Sequence, residues 1–304
     1  MDKFAGLKAF RAVVEEGGFA AAARVLGLSR SQINKLVGAL EADLSVQLFN
    51  RSTRSVAATS DGLAYYERAR QILDDLSEAE SRLKETRDTA VGRLRISTPV
   101  SLGALNFSAI IAQFMAQHPA LTVELIQDTR LTDPIAEGFD CVIRIAPPNE
   151  ETHLVDHRIA PIEYITCAAA SYFETRSHPT DPADLKAHAL LHYPGNNNSK
   201  YWRYIGLEGP IDVPIKPAFL ANNLEAIREA ACAGLGIALL PRYAIKNELS
   251  TGHLVQVMDG FSLPMYMLQL IYPPSRHLSA KIRLLTDFMH DYFGNVGEAS
   301  FDQI

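Results

Sequence analysis

Three short apolar stripes at helical spacing, separated by glycines, occupy the first 45 residues and leave few folds open to this part of the chain. Gly17-Gly18 ends the first stripe and Gly27 the second. Ser29 and Gln32 have the spacing of a capping box at the start of the third helix. Two short helices joined by a glycine-containing turn indicate a helix-turn-helix. The apolar positions are Phe4, Leu7, Phe10, Val14; Phe19, Ala22, Ala23, Leu26; and Ile33, Leu36, Val37, Leu40, Leu44.

The third helix presents one face without apolar residues. Ser31, Asn34, Lys35 and Gly38 recur at i, i+3, i+4 and i+7 and therefore share a side of the helix. Asn and Lys side chains on a helix of this kind reach base edges in a major groove, so the face predicts contact with double-stranded DNA. A solvated polar face is the alternative. The predicted DNA-binding residues on this helix are Arg30, Ser31, Gln32, Asn34 and Lys35, although a capping box would occupy Gln32 without DNA.

A basic turn follows the third helix. Val46, Leu48 and Phe49 precede Arg51-Ser52-Thr53-Arg54, which predicts a short β-hairpin wing whose guanidinium groups suit phosphate. Residues 1–60 contain eight Lys and Arg against five Asp and Glu, whereas the remainder contains 21 against 30. A basic head on an acidic body is typical of a protein in which only the head meets a polyanion. We therefore add Arg51 and Arg54 to the predicted DNA-binding residues.

The segment after the wing predicts one long helix. It extends from about residue 60 to 88, with no proline before Pro99, and would be about 43 Å long. A heptad-like apolar seam predicts pairing with a second copy of the chain, while packing onto the chain's own body is the alternative. The predicted dimerisation residues are Tyr65, Ala69, Ile72, Leu76, Ala79 and Leu83.

From Gly92 onward, apolar strands alternate with helical segments. A β-α-β-α-β order predicts parallel α/β sheets with helices on both faces. We expect strands near 94–99, 121–126, 139–145, 164–168, 190–193, 237–240 and 266–272, and helices near 102–117, 131–137, 171–175, 224–233 and 279–292.

Motifs along the whole chain resemble those of the LysR-type transcriptional regulators. The head carries Phe19, the Ala21-Ala22-Ala23 cluster, Leu40-Glu41, Leu48-Phe49 and Gly62 at that family's spacing. The body carries further runs, and some of them resemble the CrgA-like branch. The family's recognition helix usually opens with Ser-Gln-Pro/Ser-Ala and has a Ser and an Arg further on, whereas in this chain those positions hold Arg30, Ser31, Gln32, Asn34 and Lys35. The family's operator preference is therefore carried over only loosely. The body runs are Gly92-Arg93-Leu94-Arg95-Ile96, Glu137-Gly138-Phe139-Asp140, Ala233-Gly234-Leu235-Gly236-Ile237, and Ser171-Tyr172, Pro179, Asp184-Leu185 and His188.

The resemblance implies a winged helix-turn-helix (1–58), a linker and dimerisation helix (59–91) and an effector-binding domain (92–304) with a fold like that of periplasmic binding proteins. Its two α/β lobes would comprise about 92–162 plus 266–304, and about 163–265. It also implies a homodimer or homotetramer, a small-molecule effector between the lobes, and RNA polymerase as a candidate partner. The function expected is regulation of transcription.

Candidate effector-binding residues follow the predicted strands. Hydroxyl groups and free backbone N–H groups at the end of the first strand suit an anion, most simply a carboxylate. Capping is the alternative for Ser101 and for the two asparagines, and core packing is the alternative for the two aromatic residues. The candidates are Thr98, Pro99, Val100, Ser101, Asp128, Arg144, Tyr193, Trp202, Asn222 and Asn223.

Other functional classes find little support in the sequence. The glycines around Gly234 follow a helix instead of a strand, the reverse of a dinucleotide-binding loop. There is no Gly-x-Ser-x-Gly motif and no metal-ligand spacing among the nine histidines. Three scattered cysteines give no disulfide framework, and Cys232 is expected to be a buried small residue. We expect a cytoplasmic protein with no membrane span, metal, cofactor or catalytic site; a solute-binding protein or an enzyme of the same fold is the alternative.

Overall fold

The computed structural model describes residues 2–51, 56–83, 90–128, 130, 132–148, 153–194, 200–274 and 279–294, with only the backbone described at 51, 78, 79 and 81–83. The chain divides into two compact units. The first comprises Met1–Arg93 with Ala136–Gly138, and the second comprises Leu94–Ile135 with Phe139–Ile304.

The first unit begins with the three predicted helices. They are α1 (Lys3–Glu15), α2 (Phe19–Leu26) and α3 (Arg30–Leu44). Gly27 ends α2 with a left-handed backbone (φ 65°), a conformation that glycine adopts without a steric penalty. The predicted capping box opens α3: the Gln32 N–H donates to Ser29 Oγ (3.2 Å), and the Ser29 N–H donates to Gln32 Oε1 (2.8 Å). This satisfies two backbone groups that the helix itself leaves unpaired.

A two-stranded antiparallel wing follows α3, as predicted. Strand β1 (Phe49–Arg51) pairs with β2 (Val56–Ala58), and Phe49 lies opposite Ala58. The turn between them, including Arg54, lies outside the described residues. The core under the helices and the wing contains two edge-to-face aromatic pairs, Phe10–Phe49 (5.4 Å between centroids) and Phe19–Phe49 (5.6 Å). Phe49 thus ties the wing to both α1 and α2.

Helix α4 (Ser60–Leu83) is long, as predicted, but its N-terminal half packs on the first unit's own core. Tyr66, Ala69 and Leu73 are buried there, and Tyr65 packs against Phe10 (5.7 Å between centroids). Ala69 has no exposed surface, so its assignment to the dimerisation seam is wrong. Tyr65 is partly buried against the same core. Ile72 stays half exposed.

The second unit contains two five-stranded sheets. The lobe I sheet has the order β4-β3-β5-β14-β6, and the lobe II sheet has the order β11-β8-β12-β7-β13. Lobe I is formed by β3 (Gly92–Pro99), β4 (Leu121–Asp128), β5 (Cys141–Ala146), β6 (Val155–Ile162), β14 (Tyr266–Tyr272), α5 (Phe107–Gln117) and α8 (Ala280–Gly294). Lobe II is formed by β7 (Tyr164–Ala169), β8 (Leu190–His192), β9 (Tyr201–Gly206), β10 (Gly209–Pro214), β11 (Pro217–Leu220), β12 (Ile237–Pro241), β13 (Leu254–Val257), α6 (Leu224–Cys232) and α7 (Lys246–Ser250).

Both sheets are mixed, which corrects the prediction of parallel sheets. Strands β3 and β5 run parallel, as do β8 with β11 and with β12. Strand β14 is antiparallel to β5 and β6, and β7 is antiparallel to β12 and β13. The antiparallel strands occur where the chain passes between the sheets, from β6 to β7 and from β13 back to β14. The chain therefore passes twice between the lobe sheets.

Two predicted helices differ from the structure. The segment predicted as helix 102–117 is a 3-10 helix (Val100–Leu105) followed by α5, because Asn106 adopts a left-handed backbone (φ 53°) between them. In place of the helix predicted at 131–137, the described residues form a turn closed by the Phe139 N–H donating to the Pro134 carbonyl (3.0 Å). The antiparallel hairpin β9–β10 was not predicted.

None of the helices in the described ranges combines the length and the apolar character needed to span a lipid bilayer. Within the same ranges, no group of three or more His, Cys, Asp or Glu side chains is arranged to hold a metal ion.

Replacing Gly62 by Ala is expected to destabilise the first unit. A Cβ atom at Gly62 would overlap the carbonyl oxygen of Leu48 and lie 3.1 Å from its carbonyl carbon, and backbone cannot move aside cheaply. We expect a loss of about 2 kcal/mol in the free energy of unfolding, measured by urea denaturation. Gly38→Ala is the matched control, because a Cβ there meets no atom within 4 Å. It should raise the free energy of unfolding by about 0.5–1 kcal/mol. Equal effects of the two substitutions would contradict this account.

Candidate functional site

The outer face of α3 is polar and open. Ile33, Val37 and Leu40 face the core, whereas Arg30, Ser31, Gln32 and Lys35 are exposed and Asn34 is half buried. The structure thus places all five predicted residues within the first two turns of one capped helix. Open space lies around Gly38, so at this position the helix backbone itself is accessible.

Several polar atoms of this face already have partners. The Gln32 side-chain oxygen is held by the capping box, and Ser29 Oγ and Ser31 Oγ lie 2.9 Å apart. The Asn34 side-chain amide donates to the Arg30 carbonyl (3.0 Å), which holds the side chain along the helix. Of the Gln32 side chain, only the amide group is left to meet a ligand. The capping role given above as the alternative for Gln32 thus applies to its side-chain oxygen.

The positive charges of the first unit fall into two groups. Lys3 pairs with Asp43 (3.1 Å), and Arg11 pairs with Glu15 (2.9 Å) and Asp74 (2.7 Å), so these two bases serve the fold. Within the described ranges, the exposed bases Lys8, Arg24, Arg30 and Lys35 form no ion pair. Lys8 lies on α1, Arg24 at the end of α2, and Arg30 and Lys35 on α3. The side chain of Arg51, like the whole of Arg54, lies outside the described residues.

A carboxylate that the sequence analysis missed holds the wing against α3. Glu41 Oε1 accepts hydrogen bonds from the backbone N–H groups of Leu48 (2.9 Å) and Phe49 (3.2 Å). On the other side, Thr59 Oγ1 donates to the Gln47 carbonyl and accepts from the Gly62 N–H (both 2.9 Å). The wing therefore has a fixed position relative to α3 and to the start of α4.

Some residues predicted for the apolar seam of α4 lie outside the face that is buried in the first unit. At about 100° per residue, Tyr65, Ile72 and Leu76 lie within about 40° of one another around the helix. They border the stripe that is buried against the head. Ile72 is 50% exposed and Leu76 is half buried. The side chains of Ala79 and Leu83, which continue the same seam, lie outside the description.

A small cavity opens in lobe I at the carboxyl end of β3. Its volume is about 20 Å³, room for a single water molecule. The lining combines hydroxyl groups with two guanidinium groups and has no carboxylate, which is a composition suited to an anion. It consists of Ser97, Thr98, Pro99, Arg130, Thr132, Val142, Ile143, Arg144 and Ile271. Three of the predicted effector residues, Thr98, Pro99 and Arg144, are thus brought together.

Arg144 is held in place by a residue that the sequence analysis missed. Its Nε atom donates to Gln269 Oε1 (3.1 Å), and the Gln269 amide donates to the Pro147 carbonyl (3.2 Å). Gln269 is fully buried on β14, the strand next to β5. A glutamine inside an otherwise apolar strand, Tyr266–Tyr272, is the sequence signal that could have identified it.

Thr98 carries a buried hydroxyl group that nothing in the described parts of the chain satisfies. The residue is 1% exposed, and its Oγ1 atom has no hydrogen-bond partner there. A buried hydroxyl without a partner costs about 1–3 kcal/mol. Its neighbours Ser97 and Thr132 satisfy each other through their hydroxyl groups (3.0 Å). Thr98 Oγ1 is therefore available to a ligand in the cavity.

Ser101 lies apart from this cavity and contacts lobe II instead. The Tyr243 hydroxyl donates to its carbonyl (3.5 Å). Burial raises the pKa of Tyr193, and the nearby side chain of Ser101 offsets part of that increase. Ser101 makes no side-chain cap to the 3-10 helix that begins at Val100. Tyr193 is partly buried against the lobe II core, which is the alternative given above, and its hydroxyl end lies near Ser101 of lobe I.

The remaining candidates have other roles. Asp128 Oδ2 accepts from Arg130 Nε (2.8 Å) and so positions a guanidinium group of the cavity. Asn223 Oδ1 accepts from the Glu225 N–H (2.8 Å) and caps α6, which is the alternative given above. Asn222 and Val100 are exposed and do not line the cavity.

Trp202 belongs to the core of lobe II, which corrects its assignment to the effector cleft. It is 4% exposed and packs in a cluster with Tyr172, Tyr204 and Val213. Strand β9 alternates buried and exposed residues, and Trp202 and Tyr204 share the buried face.

Cys232 is half buried at the end of α6 against the lobe II core. Burial, followed by the charges of Glu248 and Glu229, raises the pKa of its thiol. A thiol in this environment is a poor nucleophile, in agreement with the packing role expected from the sequence.

Replacing Thr98 by Val is expected to leave the fold intact. Because its hydroxyl has no partner among the described residues, removal should change the free energy of unfolding by less than about 0.5 kcal/mol or raise it. Thr132→Val is the matched control, since it breaks the bond with Ser97 Oγ and should cost about 1 kcal/mol. Chemical denaturation of both variants measures the difference. A larger loss for Thr98→Val than for Thr132→Val would show that Thr98 Oγ1 has a structural partner.

Comparison with known proteins gives the family. Residues 4–63 match the profile described as bacterial regulatory helix-turn-helix protein, lysR family, and residues 87–294 match the LysR substrate binding domain. The HTH-type transcriptional activator AaeR of Escherichia coli (strain K12) is 31% identical over 300 residues, which cover 98% of this chain and 96% of AaeR.

Solved structures agree. The full-length Vibrio cholerae virulence activator AphB is 27% identical, with a TM-score of 0.59 over 95% of this chain and 98% of AphB. CrgA from Neisseria meningitidis has the same fold, with a TM-score of 0.60, 23% identity and coverage of 96% and 99% of the two chains. These relatives are named as transcriptional regulators, so the predictions of family and of a non-enzymatic role are confirmed. The chain belongs to the LysR family of bacterial transcriptional regulators.

Proposed function

We propose that this regulator recognises a specific duplex DNA sequence through α3, and that a small carboxylate in the cavity beside Thr98 and Arg144 controls its activity. One observation carries the effector half of the proposal. A buried hydroxyl without a partner in the described chain and an oriented guanidinium group line a cavity that contains no carboxylate. An anionic oxygen would satisfy the hydroxyl group.

On the DNA side, α3 is proposed to lie in a major groove. Lys35 and Asn34 would reach base edges, and Arg30 and Ser31 would contact the backbone or bases near the start of the helix. The open space around Gly38 would let the helix approach the groove closely. Arg51 and Arg54 of the wing are proposed to neutralise phosphates, which adds affinity without sequence preference.

On the effector side, the carboxylate is proposed to bridge Thr98 and Arg144. The cavity as it stands has room for about one water molecule, so a carboxylate would enter only as the side chain of Arg130, which is 71% exposed, shifts to make room. Arg144 is already oriented by Gln269, so little side-chain entropy would be lost on binding.

Signalling is proposed to pass through the end of β3. Thr98 would contact the effector, and Ser101, three residues later, contacts Tyr243 and lies near Tyr193 of lobe II. A ligand that moves Thr98 would alter this interlobe contact and favour one lobe arrangement. An effector acts in this way only if it binds one arrangement more tightly than the other.

Assembly is proposed to use the rest of the α4 seam. Ile72 and Leu76, with Tyr65 at the edge and Ala79 and Leu83 continuing the seam, would pair with a second chain in a homodimer or a homotetramer. The domains are assigned as 1–58, 59–91 and 92–304, with the lobes divided near 162 and 265. A regulator of this kind would act in the cytoplasm, and RNA polymerase is a candidate partner at the promoter.

Lys35→Ala is expected to weaken specific operator binding about tenfold, because one base contact is worth roughly 1–3 kcal/mol. The operator would be located by footprinting the DNA upstream of the protein's own gene, and affinities measured by fluorescence anisotropy. Lys3→Ala is the charge-matched control. Its ion pair with Asp43 is exposed, so neither stability nor specific binding should change much.

Affinity measurements on variants of the wing test the proposed phosphate contacts. Arg51→Ala and Arg54→Ala should lower affinity for all sequences alike and reduce the slope of log K against log salt by about one each. An unchanged footprint and affinity for Lys35→Ala would reject the assignment of α3 as the recognition helix.

Small carboxylates are expected to raise the melting temperature of the protein, while the corresponding amides should not. A panel of mono- and dicarboxylates, each paired with its amide, would be screened by thermal shift. Thr98→Val should weaken the best carboxylate about tenfold, since one hydrogen bond to a charged group is lost. Thr251→Val, outside the cavity, is the control. Binding of amides and carboxylates with equal affinity would rule out an anion site.

A further inference from the structure

A second and larger cavity of about 410 Å³ lies where the chain passes between the two lobes. Two segments line it, 161–166 and 256–265 except for Gly260. None of these residues lines the cavity at Thr98. The first segment joins β6 to β7 and the second joins β13 to β14, so both passages between the lobe sheets form its walls. Its volume is in the range of small-molecule sites.

The walls of this hinge cavity, as we call the space lined by these two segments, expose polar and apolar surface in about equal measure and include thioether and aromatic groups. Met265 is 62% exposed and lines the cavity, so its thioether is accessible to a ligand there. Thioether and aromatic groups of this kind bind the apolar body of a ligand and also attract cations. The apolar lining consists of Pro161, Ile162, Tyr164, Ile165, Val257, Met258, Phe261, Leu263, Pro264 and Met265.

The charge of the lining is negative. Glu163 and Asp259 contribute carboxylates, and no lysine or arginine is among the lining residues. Glu163 is balanced from outside the cavity by Arg242, which donates two hydrogen bonds to it, one of them 3.0 Å long. Asp259 is exposed at the rim and forms no ion pair with any described residue. One negative charge therefore remains to attract a ligand.

The wall that carries Asp259 is held in place. Met258 is buried with a left-handed backbone (φ 63°), a conformation that costs a non-glycine residue about 1–3 kcal/mol and persists only when its surroundings enforce it. The Phe261 N–H donates to the Met258 carbonyl (3.0 Å), and the Ile205 N–H donates to the Ser262 carbonyl (2.8 Å). The backbone that carries Asp259 thus has a fixed position before any ligand binds.

From these observations we propose that the hinge cavity binds a small organic cation, an ammonium group on an apolar or aromatic body. The ammonium group lies at Asp259, and the body lies against Phe261 and Met265. Because both interlobe passages form the walls of the cavity, a ligand that fills it stabilises the lobe arrangement in which the cavity is formed. The site is separate from the proposed anion site and does not depend on it.

The test follows the methionine methyl groups. The chain has six methionines, and Met258 and Met265 line the cavity. Full-length protein labelled with carbon-13 at these methyls would be titrated with phenylethylamine, phenylethanol and phenylpropanoate, which share an aromatic body and differ in charge. We expect the amine to shift the Met258 and Met265 signals and to bind about five-fold tighter than the alcohol, with the carboxylate weakest. Met265→Leu assigns one signal, and Met115 and Met289, outside the cavity lining, should not respond.

Variants distinguish the charge from the cavity. Asp259→Asn should reduce the affinity for the amine to that for the alcohol, while Asp287→Asn on α8 should leave it unchanged. Thr98→Val should leave amine binding intact, which separates this result from failure of the anion site. Equal binding of amine and alcohol, or no shift of the two signals at millimolar amine, would overturn the proposal.

Discussion

The backbone of Leu48 fixes the relative positions of three elements in the first unit. Its N–H donates to Glu41 of α3, and its carbonyl accepts from the Thr59 N–H (3.0 Å) at the start of α4. Gly62 lets α4 approach that carbonyl so closely that no side chain fits between them. The wing, α3 and α4 are therefore all hydrogen-bonded to or packed on the backbone of Leu48. A displacement of α4 would be transmitted to the α3 surface through hydrogen bonds that cannot lengthen by much.

The anion site proposed in lobe I depends on a comparable buried interaction. Arg144 is held by Gln269 on the neighbouring strand, so the guanidinium group is oriented by the sheet itself. Leaving Thr98 Oγ1 without a partner in the described chain is unfavourable, and a ligand that supplies an acceptor recovers this cost. Such a site discriminates strongly against compounds without the acceptor, because they leave the buried hydroxyl as unsatisfied as before.

The sequence predicted the head more completely than the body, for a physical reason. Local signals specify the head: helical spacing, Gly27 at a helix end, the Ser29–Gln32 capping box and the wing are all contained within a few residues. In the body, the pairing of β14 with β5 and β6 joins residues more than a hundred positions apart, and nothing local indicates that these strands run antiparallel.

The candidate sites show the same distinction. Thr98, Pro99 and Arg144 line one cavity because strand ends share an edge of a sheet, whereas the contacts of Gln269 and Glu41 reach across the fold and no local pattern indicates them. Ala69 was misassigned because the dimer seam and the face buried on the head overlap on one helix, and spacing alone does not decide which surface covers an alanine. Trp202 could have been assigned correctly, since the alternation along β9 already puts it on the same face as Tyr204.

Two cavities of opposite charge preference beside one hinge have a consequence for control. If a carboxylate at Thr98 and a cation at Asp259 favoured the same lobe arrangement, each would raise the affinity of the other by the same factor, because coupling between sites is reciprocal. If they favoured different arrangements, each would weaken the other by an equal factor. The hinge cavity is lined by both interlobe passages, whereas the anion cavity lies within lobe I, just before the 3-10 helix Val100–Leu105 that packs on α6 and on Arg242–Ile245 of lobe II. A cation would therefore act on the hinge directly, and an anion would act through this interlobe packing, which the cation could strengthen or release.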